Sequence, residues 1–217
     1  MPTLSEHESK RMLAEAGIPV PDERLADSPE QALRAAEALG YPVVLKLCGR
    51  GIAHKTERDL VRLGLLDEDD VRHHAEDLLD RRRPEDGEAT LLVQHMVTGR
   101  RELIAGLVRD PQFGPCVMLG LGGIFAEALG DAAFAVAPLG PHDAADLIDA
   151  LRNRALLGAF RGEPPVDRPA LVKILEALGR IGAASADVRS IDLNPLIVRG
   201  AQPVVVDALV EIDGADA

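Results

Sequence analysis

The sequence predicts an α+β protein, and three observations lead there. Short apolar runs of strand character are interleaved with capped amphipathic helices. The chain closes on two apolar segments joined by turn residues. Its 217 residues suffice for one large domain or two small lobes without disulfide or metal staples.

Composition narrows the functional classes. An apolar fraction of 47% with 28% charged residues is that of a folded globular chain. A net charge of -12, no Trp, one Tyr and four Phe provide neither a basic footprint nor a stacking platform, so nucleic acid is not an expected partner. Cys48 and Cys116 stand far apart without a Cys-x-x-Cys neighbour, which indicates neither a disulfide framework nor a zinc site and points to a reduced, cytoplasmic setting. The most apolar stretch, 117–140, is broken by Glu127 and Asp131, and the N-terminus lacks a basic region before an apolar core. No membrane span and no export signal are expected.

Ser5 and Glu8 form a capping-box pattern before a helix carrying Met12, Leu13 and Ala16, with Gly17 placed to end it. Ile18-Pro19-Val20-Pro21 reads as an extended connector. Ser28-Pro29 opens a second helix that stops at Gly40. The strand 42–47 then sets one cation, Lys46, into an apolar run: either the side chain snorkels from an edge or it projects into a cleft to meet an anion. The following loop, 49–56, approaches a Walker A pattern and fails it, because His54 stands where glycine must precede the lysine. Strand character resumes over 60–66, and a helix from Asp67 ends near Arg81-Arg82-Arg83. His73 and His74 on it are sequence neighbours and cannot chelate one ion together.

Segments 91–97 and 102–109 read as two strands joined around Gly99, and 116–119 as another. In Gly120-Leu121-Gly122-Gly123-Ile124-Phe125 the third glycine of a dinucleotide fingerprint is replaced by Phe125, so a Rossmann unit is not supported, although the glycines allow close backbone approach to phosphate. A strand near 134–137 precedes helices around 142–151, 153–160 and 168–184. The terminal hairpin pairs 189–198 with 204–212 across Gly200 and Pro203. It brings Asp192, Asn194 and Asp207 onto adjacent strands. An amide oxygen and a carboxylate there suit Mg2+, which takes few protein ligands and keeps several waters; the same residue types also serve as turn formers and caps.

Taken in order, Gly40-Tyr41-Pro42-Val43-Val44-Leu45-Lys46, His54-Lys55-Thr56, Arg109-Asp110-Pro111-Gln112-Phe113-Gly114-Pro115, Gly120-Leu121-Gly122-Gly123, Phe160-Arg161-Gly162 and Asp192-Leu193-Asn194-Pro195 carry a resemblance over nearly the whole chain. The chain resembles the ATP-grasp domain, or beta subunit, of the NDP-forming acyl-CoA synthetases, relatives of succinyl-CoA synthetase. The resemblance implies an ATP-grasp fold in which two α+β lobes grip a nucleotide: an N-terminal helix over 1–17, a small lobe over 18–96 and a large lobe over 97–217. It further implies that Lys46 contacts nucleotide phosphates, that Gln94, His95, Met96 and Val97 form the hinge meeting adenine, that Glu102 and the Gly122-Gly123 backbone lie near the nucleotide, and that Asn194 and Asp207 hold Mg2+ with Asp192 in support. His54 resembles a phosphohistidine relaying phosphate to and from ATP or ADP, a role suited to a nucleophilic imidazole.

The implied reaction is acyl-CoA + ADP + phosphate in exchange with carboxylate + CoA + ATP, with a CoA-binding alpha-type subunit or domain as partner in a hetero-oligomer. Two departures from the family pattern bear on activity. Asp59-Leu60 replaces a Gly-Gly pair before Val61, where a position requiring positive φ or close phosphate approach would tolerate Leu60 poorly. Ala135 stands where arginine is common, with Arg58 nearby to compensate. A regulatory nucleotide-binding subunit and an ATP-grasp ligase joining a carboxylate to an amine are the alternative readings.

Overall fold

The computed structural model describes residues 3–52, 55, 57–123, 130–159 and 161–213. The chain divides into two compact units. The smaller gathers Thr3–Ser9 and Pro21–Met96; the larger gathers Lys10–Val20 and, from Val97, the rest of the described chain.

In the smaller unit β1 (Glu23–Ala26), β2 (Val43–Cys48), β3 (Val61–Leu65) and β4 (Thr90–His95) form an antiparallel sheet in the order β1-β4-β2-β3. Helices α2 (Pro29–Leu39) and α3 (Glu68–Asp80) cover one face. The side chains of β2 alternate across the sheet, so Val43, Leu45 and Leu47 join Leu91 and Val93 beneath Ala32, Ala36, Val71, Ala75 and Leu78. The opposite face therefore receives Val44, Lys46, Leu92 and Gln94, by the pairings Lys46 with Leu92 and Val44 with Gln94. Helix ends are set by the residues that predicted them: Ser28 accepts from the Gln31 amide, and Gly40, at φ +80°, closes α2 by donating its N–H to the Ala36 carbonyl.

The larger unit holds β5 (Arg101–Asp110), β6 (Gly114–Leu121), β7 (Ala132–Val136), β8 (Val188–Arg199), β9 (Gln202–Val205) and β10 (Ala208–Ile212). Their order is β10-β8-β5-β6-β7, with β9 also paired to β8. Helices α4 (Pro141–Asp149) and α5 (Arg168–Ala184) pack on one face, over Leu103, Ala105, Leu107, Val117 and Leu119. Contact is close at Gly182, where a Cβ would lie 2.6 Å from a Leu107 methyl.

Segments 91–97 and 102–109 are successive strands, β4 hydrogen-bonded on both edges to β1 and β2, and β5 on both edges to β6 and β8. One expectation changes. Instead of a helix over 153–160, the described residues form only a 3-10 turn at Arg154–Leu157, Phe160 lying outside them. Polar side chains divert the backbone there: Asp131 accepts from the Arg152 and Asn153 amides, and Arg101 donates to the carbonyls of Leu156 and Gly158.

Candidate functional site

The terminal hairpin places its polar residues by register. Leu193 pairs with Ala208 and Leu196 with Val205, so Asn194 falls opposite Asp207; the Asn194 amide donates to the Asp207 carbonyl at 3.2 Å. Side chains of directly opposed residues lie on one face, about 5 Å apart at Cβ. Towards β5 the pairing slips: Leu103 meets Leu196 and Ala105 meets Leu193, so Asn194 and Pro195 together oppose Ile104. This is a β-bulge, a device that bends a strand and re-aims its side chains. Beyond a proline in a strand, no local signal announces it.

Asp192 shares the face away from the helices, opposite Gly106 on β5. Its side chain is open to solvent, yet the surrounding sheet removes enough water to push its carboxyl pKa up, and the Asp207 carboxylate pushes in the same direction. Two carboxylates and an amide oxygen held close, with one carboxylate already resisting ionisation, form a donor set that a divalent cation would relieve. Among the described residues no group of three His, Cys, Asp or Glu converges on one point. A cation here would thus draw on one amide, one or two carboxylates and water, a set that fits Mg2+. Gly106 makes the juxtaposition possible, since a Cβ there would lie 2.6 Å from the Ile191 carbonyl oxygen.

Glu102, Gly122 and Gly123 also come together. The Gly122 amide donates to the Glu102 carbonyl at 2.8 Å, and a Cβ on Gly122 would press to 3.0 Å of Glu102 backbone carbon. Glu102 and Gly122 border a cavity of about 320 Å³ whose lining includes Arg100, Leu121, Leu156 and Arg161. Arg101 is a structural clamp beside it, donating to the carbonyls of Leu156, Gly158, Pro164 and Gly200. Sequence reading passed over it, because its acceptors are backbone groups distant in the chain.

In the smaller unit Lys46 is buried on the sheet face that also carries Gln94. Its ammonium donates to Glu6 Oε1 at 2.6 Å, and Lys55 Nζ lies 2.9 Å from Glu6 Oε2. The first turn of α1 (Glu6–Glu15) is fixed by further polar contacts: Arg50 Nε donates to Glu8 Oε2 at 3.0 Å, and His7 Nδ1 lies 2.8 Å from Glu23. Glu6 was not singled out from sequence, and Lys55 only as part of the His54-Lys55-Thr56 motif. In the hinge stretch the amides of His95 and Met96 donate to the carbonyls of Asp22 and Pro42, and Val97 packs with Val204 and Val206. His54 lies outside the described residues.

Both departures from the family pattern receive a structural explanation. The positive φ falls on Asp59, at +54°, a residue type that tolerates it, while Leu60 is buried in the core under α2 and α3. Ala135 pairs with the fully buried Val117 and thus sits on the helix-covered face, opposite to Asp192. Arg58 does not stand in for a missing donor: Asp86 holds its guanidinium at 2.6 and 2.9 Å.

A mixed antiparallel architecture in two units, with a carboxylate and amide face on one sheet and a buried lysine on the other, defines a nucleotide-binding class rather than a Rossmann one. Residues 2–212 match the family described as the ATP-grasp domain, and the chain belongs to that family. Among curated proteins it is 36% identical over 208 residues to the beta subunit of acetate–CoA ligase (ADP-forming) I of Pyrococcus furiosus, covering 94% of this chain and 90% of the relative. Among solved structures it matches Candidatus Korarchaeum cryptofilum dinucleotide-forming acetyl-coenzyme A synthetase 1 in complex with coenzyme A, Ca-AMPCP and HgCl+, at TM-score 0.92 and 39% identity over 98% of this chain and 94% of that one. A second structure of that synthetase, with coenzyme A and Mg-AMPPCP and its phosphohistidine segment pointing towards the nucleotide binding site, matches at TM-score 0.83 and 38% identity over 96% and 92%. Its close homologues are thus ADP-forming acyl-CoA ligases. No helix among the described residues is long and apolar enough to cross a membrane.

Proposed function

We propose that this chain is the nucleotide-binding, beta-type subunit of an ADP-forming acyl-CoA synthetase, passing a phosphoryl group between a phosphohistidine and ADP. The observation that carries the reading is the opposition of Asn194 and Asp207 on one sheet face beside Asp192. Asn194 and Asp207 would hold Mg2+, with the Asp192 carboxylate in support; bound there, the ion would neutralise phosphate charge and orient the nucleotide. Lys46 supplies a buried ammonium for the phosphates, and Gln94 to Val97 with Glu102 and the Gly122-Gly123 backbone receive the rest of the nucleotide. Catalysis by such a chain is positioning and charge neutralisation.

His54 is the nucleophile of the reading. Its imidazole nitrogen takes the phosphoryl group from the partner's phosphohistidine and yields it to the terminal oxygen of ADP, giving ATP and free imidazole. A CoA-binding alpha-type subunit makes the acyl phosphate and frees CoA, so the working enzyme is a hetero-oligomer. Adenine nucleotide and coenzyme A as substrates support a cytoplasmic location. The relatives named as beta subunits support that requirement.

The test mixes this chain with a CoA-binding partner subunit, ADP, phosphate, Mg2+ and a panel of acyl-CoAs. ATP should form with wild type and not with His54→Ala. Calorimetric titration should show Mg-ADP binding that weakens by at least about tenfold in Asp207→Ala. Tight Mg-ADP binding without transfer would favour a regulatory subunit, and ADP release dependent on an amine would favour a different ligase.

A further inference from the structure

The first turn of α1 is held almost entirely by charge. Glu6 is 3% exposed, Lys46 4% and Lys55 8%, and the two ammonium groups approach different oxygens of the one carboxylate. A lysine buried without a counter-ion tends to lose its proton, and a buried carboxylate without partners tends to gain one. The bridge favours the charged forms of both lysines and of the carboxylate between them. The turn that presents Glu6 is itself fixed. Ser5 and Glu8 close a capping box, Glu8 takes the exposed Arg50, His7 meets Glu23, and the cation Lys10 lies buried one turn along the same helix from Glu6.

Lys46 lies on β2, and Lys55 directly follows His54 in sequence. We propose that Glu6 is a positioning residue for phosphoryl transfer: its carboxylate fixes Lys55, the neighbour of His54 in sequence, against Lys46 on β2 and keeps both lysines charged. This rests on the function proposed above. Glu6 need not touch the nucleotide. Its effect reaches the reaction through the two lysines, and displacing a reacting group by about 1 Å can cost about a hundredfold in rate.

The experiment compares full-length wild type, Glu6→Gln and Glu6→Asp, each with the CoA-binding partner. Mg-ADP affinity is measured by calorimetry from pH 7.5 to 9.5, and ATP formation is measured at pH 7.5. Glu6→Gln keeps the shape and removes the charge. Its Mg-ADP affinity should fall about tenfold across that pH range while wild type stays level, because lysines stripped of their carboxylate discharge as pH rises. Its kcat should fall about a hundredfold with the KM for acyl-CoA unchanged, and Glu6→Asp should restore part of both.

A wild-type pH profile and kcat in Glu6→Gln would overturn the inference. If that variant does not unfold cooperatively, Lys55→Gln decides. It leaves the Glu6–Lys46 pair in place, so transfer should drop at least tenfold with Mg-ADP affinity within about twofold of wild type, and unimpaired transfer overturns the inference equally. Wild type that binds no Mg-ADP would instead remove the proposed function. Wild type that binds and transfers, matched by Glu6→Gln, removes the inference alone.

Discussion

At Glu8 one carboxylate accepts from the Ser5 amide and hydroxyl and from the Arg50 guanidinium, which holds its pKa down to about 2 against an ordinary value of 4.5. A carboxylate whose folded pKa is depressed stabilises the fold above its unfolded pKa, and loses that contribution as pH falls through the folded one. Thermal unfolding of wild type should therefore lose stability between about pH 4.5 and about pH 2. Glu8→Gln should be less stable at neutral pH and show a shallower decline over that interval, measurable by circular dichroism. Asp192 has the opposite sign. Burial and Asp207 raise its pKa, so its ionised form at pH 7 works against folding. Asp192→Asn should raise the neutral-pH melting temperature of the metal-free protein and weaken its response to added Mg2+; a lower melting temperature without metal would contradict this charge balance.

Several of these residues announced themselves in the sequence. Ser5 with Glu8, Ser28 before a proline, and Gly40 after an apolar stripe are local signals, because a cap acts on amides within its own turn. Lys46 drew notice as a cation in an apolar strand. Glu6 drew none, since an acidic residue at a helix start is ordinary and its partners lie 40 and 49 residues away.

Among the elements, β8 carries most consequence. It pairs with β5 on one edge and with β9 and β10 on the other, and its bulge at Asn194-Pro195 breaks the alternation of buried residues between Leu193 and Leu196. The approach of β5 to β8 at Gly106 is testable. In Gly106→Ala the new methyl would meet the Ile191 carbonyl at 2.6 Å, and separating the strands should cost about 1–3 kcal/mol in a denaturant titration. Because Asp192 stands directly opposite, Mg-ADP affinity should fall as well. Unchanged affinity in a folded variant would mean that strand spacing does not set the site. The turn at Arg154–Leu157 shows the limit of reading elements from sequence: its apolar residues suggested a helix, and the polar groups that prevent one, Asp131 and Arg101, come from elsewhere in the chain.

For the whole molecule, ligand linkage gives the broadest check. A ligand that binds only the folded chain, present at about 100 times its Kd, adds about 2.7 kcal/mol to stability. For a chain of this length that corresponds to a rise of about 5–10 °C in Tm. Mg-ADP should produce such a rise in wild type and little in Asp207→Ala, followed by differential scanning fluorimetry. A full shift in that variant would remove Asp207 from the binding site.

By itself the sequence determined the mixed class of the fold, most helix ends, the terminal turn and, through its ordered motifs, the family. These depend on contacts within a few residues or on patterns that local physics imposes. Only the tertiary structure decided that Asn194 falls opposite Asp207, that Asp59 rather than Leu60 carries the positive φ, that Ala135 faces the helices, and that Lys46 and Lys55 share Glu6. Each is a matter of register or of a long-range pair. A shift of one residue in register would turn every side chain of a strand to the other face without changing any local signal.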